Sequence, residues 1–244
     1  MEGYEEDELM RLGLNAVVLG ARQQEKRLEV IANNLANTGT AGYKKDNVHF
    51  RDFIYQTTYT RMDQGNTRST GQPLDISLSG EGFLRVQTDK GILYTREGNL
   101  TLNQDNVLVT HEGWPVLGEG GPLTLTGSDI RIERDGQIFG RDESGGSASA
   151  EYVALGKLDL VEFPGKTLLE KAQKGCFVPR DPNVQPVPAQ SIAVQQGALE
   201  EANFNPVEEM AHMIDTQRVY ESYQKALQMF QQEDSQLISK LGGQ

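Results

Sequence analysis

Prolines and glycines decide where a chain can sustain regular structure, and here they are confined to the middle. All 9 prolines lie between Pro73 and Pro206, and 18 of the 26 glycines lie between Gly65 and Gly175. Proline removes a backbone donor and glycine weakens a helix, so a segment punctuated by both turns often and builds short strands. The stretch before Pro73 has no proline, and the tail Val207–Leu241 has neither residue. Long helices are therefore permitted at both ends of the 244-residue chain, with turns and strands expected between them.

Both ends carry heptads. From about Glu8 to Asn37, Leu14, Ala21, Leu28 and Leu35 recur every seven residues. Met10, Val17 and Ile31 form a companion row, interrupted by Gln24. Thr38-Gly39-Thr40-Ala41-Gly42 supplies the stop. At the other end Met213, Tyr220, Leu227 and Leu241 share one position, and Tyr223, Phe230 and Leu237 share the position three later, with Thr216 and Asp234 as polar exceptions. Asn205 can accept a bond from the first helical amides, Pro206 fits the first helical position, and Glu208 sits where a capping box places its carboxylate. A helix from Pro206 to Leu241 would run roughly 54 Å. Such seams can pack on each other, on the middle of the chain, or on neighbouring copies.

Between Gln72 and about Pro188 the period falls to two. Leu74, Ile76 and Leu78 alternate with Asp75, Ser77 and Ser79. Leu100–Leu102 and Val107–Val109 flank Asn103-Gln104-Asp105-Asn106, which reads as a hairpin. Asp135-Gly136 between Ile132 and Ile138 signals another. The spacing predicts a flexible loop over Asp142–Ala150, one longer strand over Tyr152–Phe163, and a stiff proline-rich connection over Pro179–Pro188. The fold class expected is α+β: terminal coiled-coil helices forming one helical domain, and a central all-β domain. The expected division is 1–60, 61–188 and 189–244.

The charge arithmetic, 23 Lys+Arg against 35 Asp+Glu, gives a net of -12, which opposes general affinity for nucleic acid. Neither nucleic-acid binding nor direct membrane insertion is expected. The first residues, Met-Glu-Gly-Tyr-Glu-Glu-Asp-Glu, are the opposite of a basic signal-peptide start, so no cleaved signal is expected. His49, His111 and His212 lie in three segments with no second ligand at metal spacing. The glycine clusters Gly80-Glu81-Gly82 and Gly118–Gly121 fit neither phosphate-binding spacing. Cys176 has no sequence-local base and no disulfide partner. Catalytic, cofactor and metal residues are accordingly none. Trp114 reads as a core or edge-cover residue, and Lys44-Lys45 as a solvated pair at a helix exit.

Three segments carry a family resemblance. Ala32-Asn33-Asn34-Leu35-Ala36-Asn37-Thr38-Gly39-Thr40-Ala41-Gly42-Tyr43-Lys44 resembles the N-terminal signature of bacterial flagellar rod and hook proteins, a helix ending in a T-x-G-[YF]-K turn. Gly71–Phe83 with Tyr94-Thr95-Arg96-Glu97-Gly98 resembles the start of that family's β domain. Gln196–Asn203 with Asn205–Met210 resembles the approach to its C-terminal helix. Within the family, Trp114–Pro122 and the short connection from Tyr55 to Gln72 are similar to the proximal-rod branch, with a distal-rod or related hook-basal-body protein as the alternative. From another class, a secreted carbohydrate-binding or hydrolytic β domain flanked by helices competes.

The resemblance implies a structural, non-enzymatic subunit of the basal body, exported by the flagellar type III apparatus without signal cleavage. It implies polymerisation with itself and with other rod subunits into a hollow periplasmic drive shaft, the helices forming an inner tube and the β domain lying outside. On that reading the assembly interface comprises Leu14, Val17, Leu28, Ile31, Asn34, Leu35 and Asn37 with Met213, Tyr220, Tyr223, Leu227, Phe230, Leu237 and Leu241. Asn33, Asn34 and Asn37 either make polar contacts that fix the turn or simply end the helix.

Overall fold

A computed structural model describes residues 2–51, 55–141, 152–164 and 169–241, with side chains for 11–50, 57–141, 152–164, 169–233 and 235. The loop expected over 142–150 and the side chains of Met10, Asp234, Leu237 and Leu241 lie outside those residues. The fold is α+β: an N-terminal helix α1 (Glu2–Ala36), a run of short strands, and a C-terminal helix α2 (Pro206–Leu241). The start of α2 follows its local chemistry. Asn205 Oδ1 accepts the Val207 amide at 3.0 Å, and the Asn205 carbonyl accepts the Glu209 amide at 3.1 Å. Helix α1 runs further toward the N-terminus than its heptads suggested, starting at Glu2 rather than near Glu8.

The chain divides into two units. The first holds 1–36, 46–59 and 205–244: the two helices and the paired strands Asp46–Arg51 and Tyr55–Thr60. The second holds 37–45 and 60–204. The strands Ala193–Gln196 and Ala198–Glu200, just before α2, belong to this second unit.

The β unit is built on a six-stranded antiparallel sheet, in the order Leu169–Lys171, Phe177–Pro179, Gly91–Thr95, Phe83–Thr88, Leu160–Glu162, Val187–Pro188. Both expected hairpins form. Thr101–Leu102 pairs with Leu108–Val109, and Asn106 takes the left-handed conformation at φ 57°. Ser128–Ile132 pairs with Gln137–Arg141 around Gly136 at φ 84°. The proline-rich stretch is not a plain connection, since Phe177–Pro179 and Val187–Pro188 are strands.

The single strand expected over Tyr152–Phe163 is two, Tyr152–Lys157 and Leu160–Glu162. It breaks where Leu158 donates its amide to the Gly136 carbonyl and Asp159 donates its own to Leu117. Asp159 also pairs with Arg85 at 2.5 Å. The core gathers Ile76, Leu84, Val86, Leu108, Val116 and Ile138, with Trp114 packed against it as expected. An aromatic layer of Phe83, Tyr94, Phe163 and Phe177 lies in the same unit, with Tyr94 edge-on to Phe163 at 4.8 Å.

Candidate assembly helices and the signature turn

The helices of the first unit pack antiparallel, and their register can be read from three contacts. Gly13 lies against Phe230, Gly20 against Tyr223, and Asn34 against Glu209. Each seven-residue step forward along α1 thus matches a seven-residue step back along α2. The positions of closest approach shown by these contacts are Gly13, Gly20 and Asn34, which carry almost no hydrophobic signal. A Cβ on Gly20 would stand 2.5 Å from Tyr223 Cζ, whereas one on Gly13 would stand 3.6 Å from Phe230 Cζ. The missing side chain at Gly20 is what lets the Tyr223 ring settle onto the α1 backbone.

The apolar rows read from sequence flank this line. Leu14, Val17, Leu28, Ile31 and Leu35 on α1 are half-buried, as are Met213, Tyr220, Tyr223, Leu227 and Phe230 on α2. The polar interruptions are inside: Gln24 and Thr216 are buried, and Thr216 Oγ1 donates to the His212 carbonyl at 2.7 Å. Of the three asparagines, Asn34 is fully buried and makes the most specific contacts. Its Nδ2 donates to the Asp46 carbonyl at 2.9 Å and to Glu209 Oε1 at 2.8 Å, and its Oδ1 accepts the Asp46 amide at 3.0 Å. The side chain therefore pairs with the first residue of the hairpin as a strand would, while anchoring α2. Asn37 is half-buried and accepts Thr40 Oγ1 at 3.3 Å, and Asn33 is exposed. Arg27 lies over the Phe50 ring of the hairpin, 5.0 Å from its centroid.

The signature turn lies in the second unit and corrects one expectation. Lys44 is not a solvated helix-exit residue; it is 1% exposed. Its Nζ donates to Glu200 Oε1 at 2.6 Å and to the Asp63 carbonyl at 2.7 Å. Burial draws the Lys44 ammonium below the ordinary lysine range, and the Glu200 carboxylate offsets part of that pull. Arg96 reaches the other carboxylate oxygen, Nη1 to Glu200 Oε2 at 3.0 Å, and also donates to the carbonyls of Leu78 and Gly80. Glu200 Oε1 accepts the Gly65 amide as well, at 2.9 Å. Next to this cluster, Asn203 Oδ1 accepts the Lys45 amide and Asn203 Nδ2 donates to the carbonyls of Arg61 and Asp63. Arg96, Glu200 and Asn203 stand in segments that carry the family resemblance, but their pairing with the turn was not read from sequence, because no local pattern ties charges 104 and 156 residues apart.

Among the described residues no three His, Cys, Asp or Glu side chains come together as metal ligands, and His49, His111 and His212 are exposed at separate places. No helix among them is long and apolar enough to cross a membrane.

Residues 14–44 match the flagella basal body rod protein family, residues 77–140 the flagellar hook protein FlgE/F/G D1 domain, and residues 195–240 the flagellar basal body rod FlgEFG protein C-terminal family. The chain is 30% identical to the flagellar basal-body rod protein FlgF of Mesorhizobium japonicum, over 89% of this chain and 92% of that one. It is 32% identical to FlgF of Salmonella typhimurium, over 85% and 89%. It is 29% identical to the rod protein FlgG of a Buchnera aphidicola strain, over 91% and 95%.

Proposed function

This chain belongs to the flagellar basal-body rod protein family and is a structural subunit of the rod, and on that premise we propose that it polymerises through its two helices into the torque-bearing shaft. The observation that supports this reading is the apolar surface the intrachain helix pair leaves open. Val207, Met210 and Ile214 follow one another at helical spacing on α2 and are 72%, 52% and 53% exposed; Leu12 and Leu19 on α1 are exposed too. Large apolar side chains aligned in this way on a helix mark a surface made to be covered. The seam residues named above, only half-buried within one chain, would complete their burial in the same contacts. Each leucine-sized side chain so covered contributes roughly 1.5–3 kcal/mol, so several per subunit supply an interface of obligate strength.

In this reading the helices, with the strands Asp46–Arg51 and Tyr55–Thr60, supply the shaft, the unit of 37–45 and 60–204 supplies the β part, and the neighbours are further copies and other rod subunits. Export through the flagellar type III apparatus without a cleaved signal, and residence in the periplasmic part of the basal body, belong to the same proposal. The proximal position, as FlgF, is favoured by the short connection between Tyr55 and Gln72. The test is Met210→Asp with Ile214→Asp. The doubly substituted chain should keep the helicity of the wild-type monomer yet fail to restore motility to a strain lacking its own copy. Normal motility would refute the assembly surface. Rescue of an FlgG-deficient strain but not an FlgF-deficient one would reassign the position to the distal rod.

A further inference from the structure

We propose that residues 193–203 are a latch on the β unit, one that closes only when Glu200 reaches two buried cations far earlier in the chain. Strand pairing points to it first. Ala193–Gln196 pairs with Ile76–Ser79, and Ala198–Glu200 with Thr67–Ser69, each as a separate two-stranded ribbon. The two early strands have no other strand partner among the described residues. The six-stranded sheet is complete without them. Lifting the latch would therefore bare Ile76, Leu78 and Val194, all buried, while the sheet kept its own ladder.

Charge gives the latch its switch-like character. Lys44 and Arg96 are 1% and 5% exposed, and Glu200 is the shared carboxylate between them. Without Glu200 the two buried like charges would keep only carbonyl oxygens and, for Arg96, the Phe83 ring, an arrangement far costlier than the assembled cluster. Glu200 follows Lys44 by 156 residues and Arg96 by 104, so a chain delivered from its N-terminus presents both cations long before their anion. Closure also ties down the signature turn, because the Glu200 carbonyl accepts the Gly42 amide at 2.7 Å and Asn203 Oδ1 accepts the Lys45 amide at 2.7 Å. The unit thus has an open form, with 67–79 and 193–203 released, and a closed form in which the turn, the early strands and the approach to α2 are fixed together.

Hydrogen exchange of the full-length protein, followed peptide by peptide, tests this. Glu200→Gln should speed exchange over 67–79 and 193–203 on the order of a hundredfold or more. The strands Phe83–Thr88 and Gly91–Thr95 should change far less. Unchanged exchange, or the same acceleration in every peptide of the unit, overturns the latch, since the second result is what plain loss of global stability gives. Should Glu200→Gln fail to fold, Asn203→Ala decides: it removes only the neutral bonds to Lys45, Arg61 and Asp63. It should accelerate the same two segments, and the turn that Asn203 bonds at Lys45, about tenfold, while Phe83–Thr88 and Gly91–Thr95 stay unchanged.

Discussion

Replacing Gly20 by alanine separates two opposed effects whose sizes can be set from the structure. In an exposed helix the change stabilises by about 0.5–1 kcal/mol, because glycine gives up more backbone freedom on folding. At Gly20 the new methyl would stand 2.5 Å from Cζ, 2.6 Å from Cε1 and 2.8 Å from Oη of Tyr223, so ring or helix must move. Forced overpacking of this kind costs about 1–3 kcal/mol, leaving a net loss on the order of 1–2 kcal/mol. With a denaturation slope of about 2 kcal/mol per molar urea, the helical transition seen by circular dichroism should shift down by roughly 0.5–1 M. Gly13 supplies the control. Its Cβ would meet Phe230 at an ordinary 3.6 Å, so Gly13→Ala should raise the midpoint. The sign at Gly20 should reverse on a Tyr223→Ala background, where the obstructing ring is gone and only the helical preference remains. If Gly20→Ala stabilises the wild-type chain as much as Gly13→Ala does, Tyr223 does not pack on α1 in the monomer and the register given above is wrong.

Asn34→Leu should cost about 2–4 kcal/mol in urea unfolding, since it removes the Asn34 bonds to the buried Glu209 carboxylate and to both backbone groups of Asp46; a loss below about 1 kcal/mol would show those bonds to be replaced by water. Gly42→Ala should destabilise the β unit by at least about 1 kcal/mol in the same assay, because Gly42 sits at φ 67° with its missing Cβ aimed at the Arg96 carbonyl. Burial pushes the Cys176 thiol up to about 12, partly offset by a hydrogen bond with Thr95. The folded state therefore keeps a proton that the unfolded thiol releases near 9, and stability should fall as pH climbs from about 9 towards 12. At pH 8 iodoacetamide should label Cys176 at a rate that tracks opening of the fold, and labelling as fast as a free thiol would contradict its place in the core.

What could be read from sequence was local. Asn205-Pro206 announced α2, Asp135-Gly136 and Asn103–Asn106 announced their hairpins, and of the α2 seam Tyr223 and Phe230 lie against α1. The line of contact on α1 was invisible for a physical reason. Heptad reading weighs hydrophobicity, and the closest approach is made by Gly13 and Gly20, whose contribution is the absence of a side chain. Lys44 was misjudged because a charge before a strand is usually solvated, and its partners Arg96 and Glu200 arrive through tertiary folding alone. The break at Leu158-Asp159 escaped because apolar alternation continues across it while the backbone bonds change partners. Ser77 fits the outward half of the Leu74–Ser79 alternation, yet it is buried, with Thr67 Oγ1 3.4 Å away.

Antiparallel packing of two helices of 35 and 36 residues has an electrostatic consequence for whatever the chain builds. Each long helix carries about half a positive charge at its first turn and half a negative charge at its last. Where two nearly equal helices lie side by side in opposite directions, these end charges offset one another. A column of such pairs has almost no backbone field along its length, however many copies are added. An assembly made from them must take its direction from side chains, and a chain passing alongside would meet no accumulated axial potential from the backbone.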